Sequence, residues 1–341
     1  MDKRTEGKKK KLGNIKTIIY GRTAILLLGF LAQLALLVIG YYWLRRYSFW
    51  FYALFLTISA IAVLHIFNTR GNPDMKLSWM FPIAIFPIFG AIFYTTIVMQ
   101  PGTKVMYSRL KSLSEQTKKY VTDDREVWER LRAESPHMGQ LSHYLYHRDN
   151  SPVYDKTQVT YFRLGDEQFP VILEELKKAE KFIFVEFFIV SEGRMWDMVH
   201  EILKEKAEQG VEVRFMYDGT DVLFNLPNYY PRVLEAEGIR CKMFAPIKPI
   251  FSPHYNNRDH RKILVVDGKV AFTGGINLAD EYINEKLRFG HWKDTGIMVQ
   301  GDAVERFTYM FLEMWNESEK QPDDFIKYAC PADSAMPSDG Y

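Results

Sequence analysis

Cysteine is nearly absent: two residues in 341, Cys241 and Cys330, far apart and without the spacing of a metal site. A disulfide framework and a cysteine-rich zinc site are excluded, although a single bridge is not. Net charge is also small. Lys and Arg number 44 against 42 Asp and Glu, a net of +2, which lacks the positive excess of a nucleic-acid binder and argues against such a partner. No internal repeat occurs, and no low-complexity segment beyond an early lysine run, so repeat architectures are excluded. His143 and His147 sit four apart, a spacing that two metal ligands on a helix share. No third ligand follows at suitable spacing, so they read as surface histidines, and no metal or other cofactor is expected.

What is present begins with apolar runs. Thr23 to Leu44, Ser48 to Phe67 and Ser78 to Met99 are uncharged, the last carrying Pro82 and Pro87. Each is about 20 residues long, enough for a helix to cross a bilayer core of about 30 Å. A cleaved signal peptide fits poorly, because the first run is long and two more follow. Tyr41, Tyr42, Trp43, Tyr47, Trp50, Phe51 and Tyr52 cluster where an interfacial belt belongs. The expectation is a multi-pass protein of the cell membrane with two to three N-terminal transmembrane helices. The basic tail, with Lys8, Lys9, Lys10 and Lys11, stays cytoplasmic by the positive-inside tendency. The side faced by the rest of the chain is left open.

From about Gln100 the chain turns charged, and Glu126 to Glu134 reads as a short helix. Strand and helix patterns then alternate. Strands are expected at Val159–Leu164, Phe182–Val190, Val211–Tyr217, Ile239–Phe244 and Thr295–Val299. Helices are expected at Phe169–Ala179, Met195–Gln209, Tyr230–Glu237 and Ala303–Asn316. Such alternation predicts an α/β domain, a mixed sheet flanked by helices. The expected divisions are a basic tail (1–22), a membrane region (23–99), a connector (100–152), an α/β catalytic half (153–325) and a polar tail (326–341). Met243 to Phe251, apolar and punctuated by proline, is expected to pack on the core or to lie in a lipid interface.

The chemistry concentrates in His260-Arg261-Lys262-Ile263-Leu264-Val265-Val266-Asp267 and the following Thr273-Gly274-Gly275-Ile276-Asn277. This is His-x-Lys-x4-Asp, then a Gly-Gly-x-Asn turn after one short strand. Strand side chains alternate faces, so His260 and Lys262 point the same way. A nucleophilic imidazole beside a fixed ammonium suits attack on a phosphodiester, since the ammonium offsets charge on the phosphoryl oxygens. Asn277 can donate to the same oxygens. Asp267 has the opposite parity and precedes Gly268, a common hairpin-turn pair, so a turn-fixing role competes with direct chemistry. Glu186 lies inside an apolar strand, where burying a carboxylate is costly unless it is paired. It is expected either to orient a catalytic histidine or to form a salt bridge, and Asp294 is treated likewise.

These residues resemble the phospholipase D superfamily, whose signature is this motif plus a downstream Gly-x-Asn element. The family form usually reads Gly-Ser where Gly274 and Gly275 stand. Gly-Gly with Ile276-Asn277-Leu278-Ala279-Asp280-Glu281-Tyr282 is similar to the bacterial cardiolipin synthase branch. The apolar N-terminus, Val185-Glu186-Phe187-Phe188 and Trp292-Lys293-Asp294 extend the likeness.

The resemblance implies an N-terminal membrane segment ahead of a phospholipase D-like domain. It also implies phosphatidyl transfer between two phosphatidylglycerol molecules in the membrane, giving cardiolipin and glycerol through a phosphatidyl-histidine. His260, Lys262 and Asp267 would be catalytic. Lys262, Asn277 and Gly275 would bind phosphate, with Glu186 and Asp294 behind them. Superfamily members face two such motifs across a pseudo-twofold axis, and this sequence contains one. A second motif-bearing half or a homodimer partner is therefore expected, and the polar C-terminal tail reads as a truncation point. His254 and His291 are the nearby alternatives for the second histidine. A phospholipase D-type phosphodiesterase using water, and an inactive membrane-anchored fragment, remain rival expectations.

Overall fold

A computed structural model describes residues 22–43, 48–94, 101–121, 123–221, 225–246 and 258–329. The described residues fall into two compact units, one within residues 1–104 and the other from 105 onward.

The first unit is helical: α1 (Arg22–Trp43), α2 (Ser48–Asn68), α3 (Pro73–Ile85) and α4 (Pro87–Tyr94). Asn72 caps α3 by accepting from the Asp74 amide, with Pro73 in the first turn, where its missing N–H costs nothing. The third apolar run does not form one helix. Pro87 has no amide for the Ile83 carbonyl, and the chain breaks at Phe86 into helices of 13 and 8 residues, about 20 and 12 Å long. Polar groups from the first two runs serve the broken ends. The Ser59 hydroxyl donates to the Ile83 carbonyl at 3.2 Å, and the Gln33 side chain accepts from the Phe89 amide at 2.8 Å. Among the described residues, no helix is long and apolar enough to cross a membrane. This overturns the expectation of N-terminal transmembrane helices and of a multi-pass topology.

The second unit begins in α5 (Pro101–Thr117), followed by α6 (Arg125–Glu134) and α7 (Pro136–Asp149). Asp124 caps α6, and Ser135 caps α7 ahead of Pro136. The sheet contains β1 (Thr157–Phe162), β2 (Phe182–Phe187), β3 (Glu212–Asp218), β4 (Arg240–Phe244), β5 (Ile263–Val266), β6 (Val270–Gly274) and β7 (Gly296–Gly301). Their spatial order is β1-β7-β6-β5-β2-β3-β4. β2, β3 and β4 are parallel, while β5, β6, β7 and β1 are each antiparallel to their neighbours. The mixed sheet is thus as expected.

Helices cover both faces. α8 (Gly165–Lys177), α9 (Arg194–Glu208) and α10 (Tyr230–Ala236) pack on the core of Ile183, Val185, Phe215, Leu264 and Val266. α11 (Val304–Trp315) packs on the opposite core of Phe182, Phe184, Ile263 and Val265. Alternating strand residues feed the two cores, which is why β2 and β5 are apolar at every turn-independent position save Glu186.

This topology gathers the chemistry. β5 runs against β2 with Ile263 opposite Glu186, and β6 ends at Gly274 opposite the first residue of β7. The ends of β2, β3 and β6 and the starts of β5 and β7 therefore share one edge of the sheet. At the other end Asp267 (φ 54°) and Gly268 (φ 67°) form the β5–β6 turn, left-handed at both positions as a type I′ turn requires.

A candidate phosphoryl-transfer site at one end of the sheet

His260 and Lys262 lie in extended chain just ahead of β5, not within the strand as expected. Their parity matches Leu264 and Val266, so both project from the α8–α9 face. His260 is exposed, whereas Lys262 is 5 % exposed. The Lys262 Nζ donates to the His260 carbonyl at 2.7 Å and lies 3.1 and 3.2 Å from the two ring nitrogens. Phe188, just past β2, backs the pair, its ring 4.7 Å from that of His260 and 5.6 Å from the ammonium. Burial pulls the Lys262 ammonium below the usual lysine range, while the charges of Asp294 and Asp259 oppose that pull. The result is a partly dehydrated cation beside an accessible imidazole, which strengthens its attraction for a phosphoryl oxygen.

Asn277 is buried, and its side-chain oxygen accepts from the Ile189 amide at 3.0 Å. That bond fixes the amide group, and the same side chain meets the Tyr282 hydroxyl. Gly275 is where the chain crosses Asp294: a Cβ there would stand 1.7 Å from the Asp294 carboxylate. The lack of a side chain at Gly275 therefore makes room for an acid that reaches Lys262 electrostatically. Asp294 also accepts from the Thr295 amide.

Two acidic residues lie elsewhere. The Asp267 carboxylate accepts from the Glu180, Lys181 and Phe182 amides at 2.8, 2.7 and 2.8 Å, tying the β5–β6 turn to the start of β2 at the far end of the sheet. Glu186 projects into the α11 face, away from His260, and its carboxylate lies 2.7 Å from the Arg261 guanidinium. The histidine-orienting role expected of Glu186 does not fit this geometry. His143 and His147 lie against each other, ring centroids 4.0 Å apart and tilted by 42°. Among the described residues, no group of three or more His, Cys, Asp or Glu could hold a metal ion. His291 is exposed on the connection into β7. His254 and the centre of the apolar loop before the motif lie outside the described residues.

The structure adds a clamp that the motif does not announce. Arg261 reaches Glu186 and also Asp259, at 3.1 Å, and donates to the Met310 carbonyl of α11 at 3.3 Å. The Asp259 amide donates to Asp218 at 3.3 Å, and Arg258 donates to the Ala245 carbonyl at 2.7 Å. Burial pushes Glu186 well up, against the pull of the Arg261 charge. Burial also acts to raise Asp259, but hydrogen bonding with Glu186 and the Arg261 charge hold it low. The Arg261 guanidinium, set between the two carboxyl groups, is what lets two acids be buried side by side. Asp259 and Arg261 flank His260 in sequence, a signal available from the chain, but their partners depend on strand order.

Beside the clamp, Asp221 follows β3 and accepts from the Val190 amide at 2.6 Å and from Asn225 at 2.6 Å. Burial pushes it up to about 7, against those two hydrogen bonds, with the Asp218 charge adding to the rise.

Residues 172–315 match the family model described as cardiolipin synthase, PLD-like domain, and residues 57–96 match the one described as phospholipase D-nuclease N-terminal. Over these two stretches the chain is similar to the phospholipase D superfamily. The relatives it matches include bacterial cardiolipin synthases. It is 42% identical over 280 residues to an uncharacterized protein of Streptococcus mutans serotype c, covering 82% of this chain and 60% of that one. It is 32% identical over 322 residues to a cardiolipin synthase of Halalkalibacterium halodurans, covering 92% and 63%. A cardiolipin synthase of Alkalihalophilus pseudofirmus is 31% identical over 287 residues, covering 84% and 57%. The chain thus spans 57% to 63% of the length of these curated relatives. Among solved structures, NucT from Helicobacter pylori aligns with TM-score 0.37 and 12% identity over 47% of this chain and 97% of that one.

Two outcomes follow from the buried charges. Arg261→Met leaves Glu186 and Asp259 without their cation, an expected loss of about 3–5 kcal/mol in urea unfolding. Adding Glu186→Leu is expected to restore over half of it. Purely additive losses would show that the two side chains are uncoupled. For Asp221, a folded pKa above the unfolded one means stability present below about pH 4 and lost as pH rises through about 7. Asp221→Asn is therefore expected to flatten the fall in unfolding free energy between those pH values. An unchanged slope would contradict the assignment.

Proposed function

We propose that this chain supplies one half of a phosphatidyltransferase site of the cardiolipin synthase type, acting on phosphatidylglycerol in a lipid surface. The observation that carries this reading is the convergence of His260, Lys262, Asn277 and Gly275 at one end of the sheet. The domain match and the cardiolipin synthases among the relatives support it.

In the first step a His260 ring nitrogen attacks phosphorus. The bond from phosphorus to the headgroup glycerol oxygen breaks, and glycerol leaves with a proton supplied by a general acid. The phosphatidyl group then rests on His260 as a phosphoramidate. In the second step the headgroup hydroxyl of another phosphatidylglycerol attacks phosphorus, the acid, now a base, takes its proton, and the P–N bond breaks to give cardiolipin. Lys262 offsets the negative charge of the equatorial oxygens. Asn277 donates to one of them from its fixed amide. Gly275 makes room for the Asp294 carboxylate beside them.

The general acid–base is a second histidine from a facing motif, brought by a motif-bearing half or by a second copy of this chain. Asp294, at the mouth of the site and close to Lys262, is the carboxylate suited to hold the ring N–H of that histidine. Asp267 serves the fold of the motif rather than the chemistry, because three backbone amides occupy its oxygens. Association with lipid is supported by exposed Leu27, Leu28, Leu31, Leu56 and Phe81 on the N-terminal helices.

The test is a lipid assay: the 341-residue chain with vesicles of phosphatidylglycerol, with and without a separately supplied motif-bearing half, read by mass spectrometry. Cardiolipin is expected when a facing motif is present and is expected to vanish in His260→Ala. Phosphatidic acid as the sole product would make the chain a hydrolase instead. Cardiolipin formed equally by His260→Ala would remove His260 from the mechanism.

A further inference from the structure

On the α11 side of the sheet, away from His260 and Lys262, two cavities adjoin each other. One, of about 350 Å³, lies between α6 and α7 and is lined by Asp123, Arg125, Trp128, His143, Tyr146 and His147. The other, also about 350 Å³, runs between α7 and the β1–β7 edge and is lined by Met138, Leu141, Leu145, Val159, Ile297 and Phe307. They share Ser142, Pro152 and Val153, so they form one continuous depression with a polar end and an apolar end.

The apolar end is open. Met138, Leu141 and Leu145 recur at helical spacing along α7, and they are 46, 45 and 39 % exposed, with Val159 at 55 %. Such a stripe on a surface helix normally faces a core. The polar end holds an aromatic row: Trp128 against His143, His143 against His147, and Tyr146 against His147, at 5.8, 4.0 and 5.3 Å between rings. Cations surround it. Lys118 stands 5.7 Å over the Tyr146 ring, Arg132 5.2 Å over Trp128, and Arg125 lines the wall in an ion pair with Glu129. Asp123, the acid in the wall, is engaged by the Tyr146 hydroxyl. Three fixed cations against two acids, beside the ring N–H groups of two adjacent imidazoles, favour an anionic group here.

We infer that this depression binds one anionic phospholipid, its phosphate at the His143–His147 end and an acyl chain along the Leu141–Leu145 stripe. A free phosphate would leave the stripe uncovered, and a plain hydrocarbon would leave the cationic end unmatched; an amphiphile matches both. The lipid class follows the proposed function and rests on it to that extent. The position does not, because the site opens on the sheet face opposite the motif. It would hold the catalytic unit against lipid while leaving the His260 end free for substrate.

The experiment uses the full chain in detergent micelles doped with phosphatidylglycerol carrying a photoreactive diazirine in one acyl chain, with labelled peptides mapped by mass spectrometry. Labelling is expected on peptides of α7 and β1. Leu141→Glu with Leu145→Glu, both exposed positions, is expected to cut it at least tenfold, and His143→Ala with His147→Ala several-fold. Labelling near β5 is expected to persist in both variants. Absence of label from α7 and β1, or labelling unchanged by the glutamates, would overturn the proposal. Full displacement by millimolar inorganic phosphate would also overturn it, as the mark of a simple anion site. Label on α7 without any near β5 would uphold this site and count against the transferase reading.

Discussion

The candidate site depends on how five residues of extended chain, Arg258 to Lys262, are held ahead of β5. Nothing in the β-ladder fixes them, since the first paired residue is Ile263. Their position comes from the Glu186–Arg261–Asp259 trio on one face of the sheet and the Asp218 carboxylate at its edge. Alternation does the rest. With Arg261 drawn towards α11, His260 and Lys262 must project on the opposite face, side by side. A clamp of buried charges is an expensive way to fix a loop compared with apolar packing. It is also a stiff one, because each partner lost leaves another uncompensated.

That stiffness suits the chemistry assigned to the site. A lysine at 5 % exposure has given up much of its hydration, so its charge acts on a phosphoryl oxygen with little competition from water. Asp294 and Asp259 oppose the loss of its proton. The same acids would repel a phosphodiester if they faced it, but Asp259 is turned into the clamp. Asp294 stays at the mouth, in the space that Gly275 leaves open.

Much of this was legible in the sequence. The strands and helices of the α/β unit fall close to their expected places because their hydrophobic periods are strong, as in Phe182–Phe187 and Arg194–Glu208. The pairing of His260 with Lys262 followed from parity alone, although the strand starts later than expected. α5 and α7 were missed because their apolar residues are sparse among charges, so composition read as connector. The partner of Glu186 was open at the outset, since parity assigns a face only once the neighbouring strand and its register are known. The membrane expectation treated Ser78 to Met99 as a single helix, and Pro87 divides it. Gln33 and Ser59, polar residues within the first two apolar runs, bond the backbone groups on either side of the break.

The central claim is that His260 carries the phosphatidyl group between donor and acceptor. It is tested most directly by trapping that intermediate. The chain, supplied with a facing motif and phosphatidylglycerol, would be quenched within the first turnover in alkaline denaturant, which preserves phosphoramidates, and its peptides would be weighed. The account predicts a phosphatidyl mass on the peptide containing His260, depleted when Lys262 is replaced by alanine. Turnover with the adduct on another residue, or with no adduct under conditions that preserve a phosphohistidine standard, would contradict it.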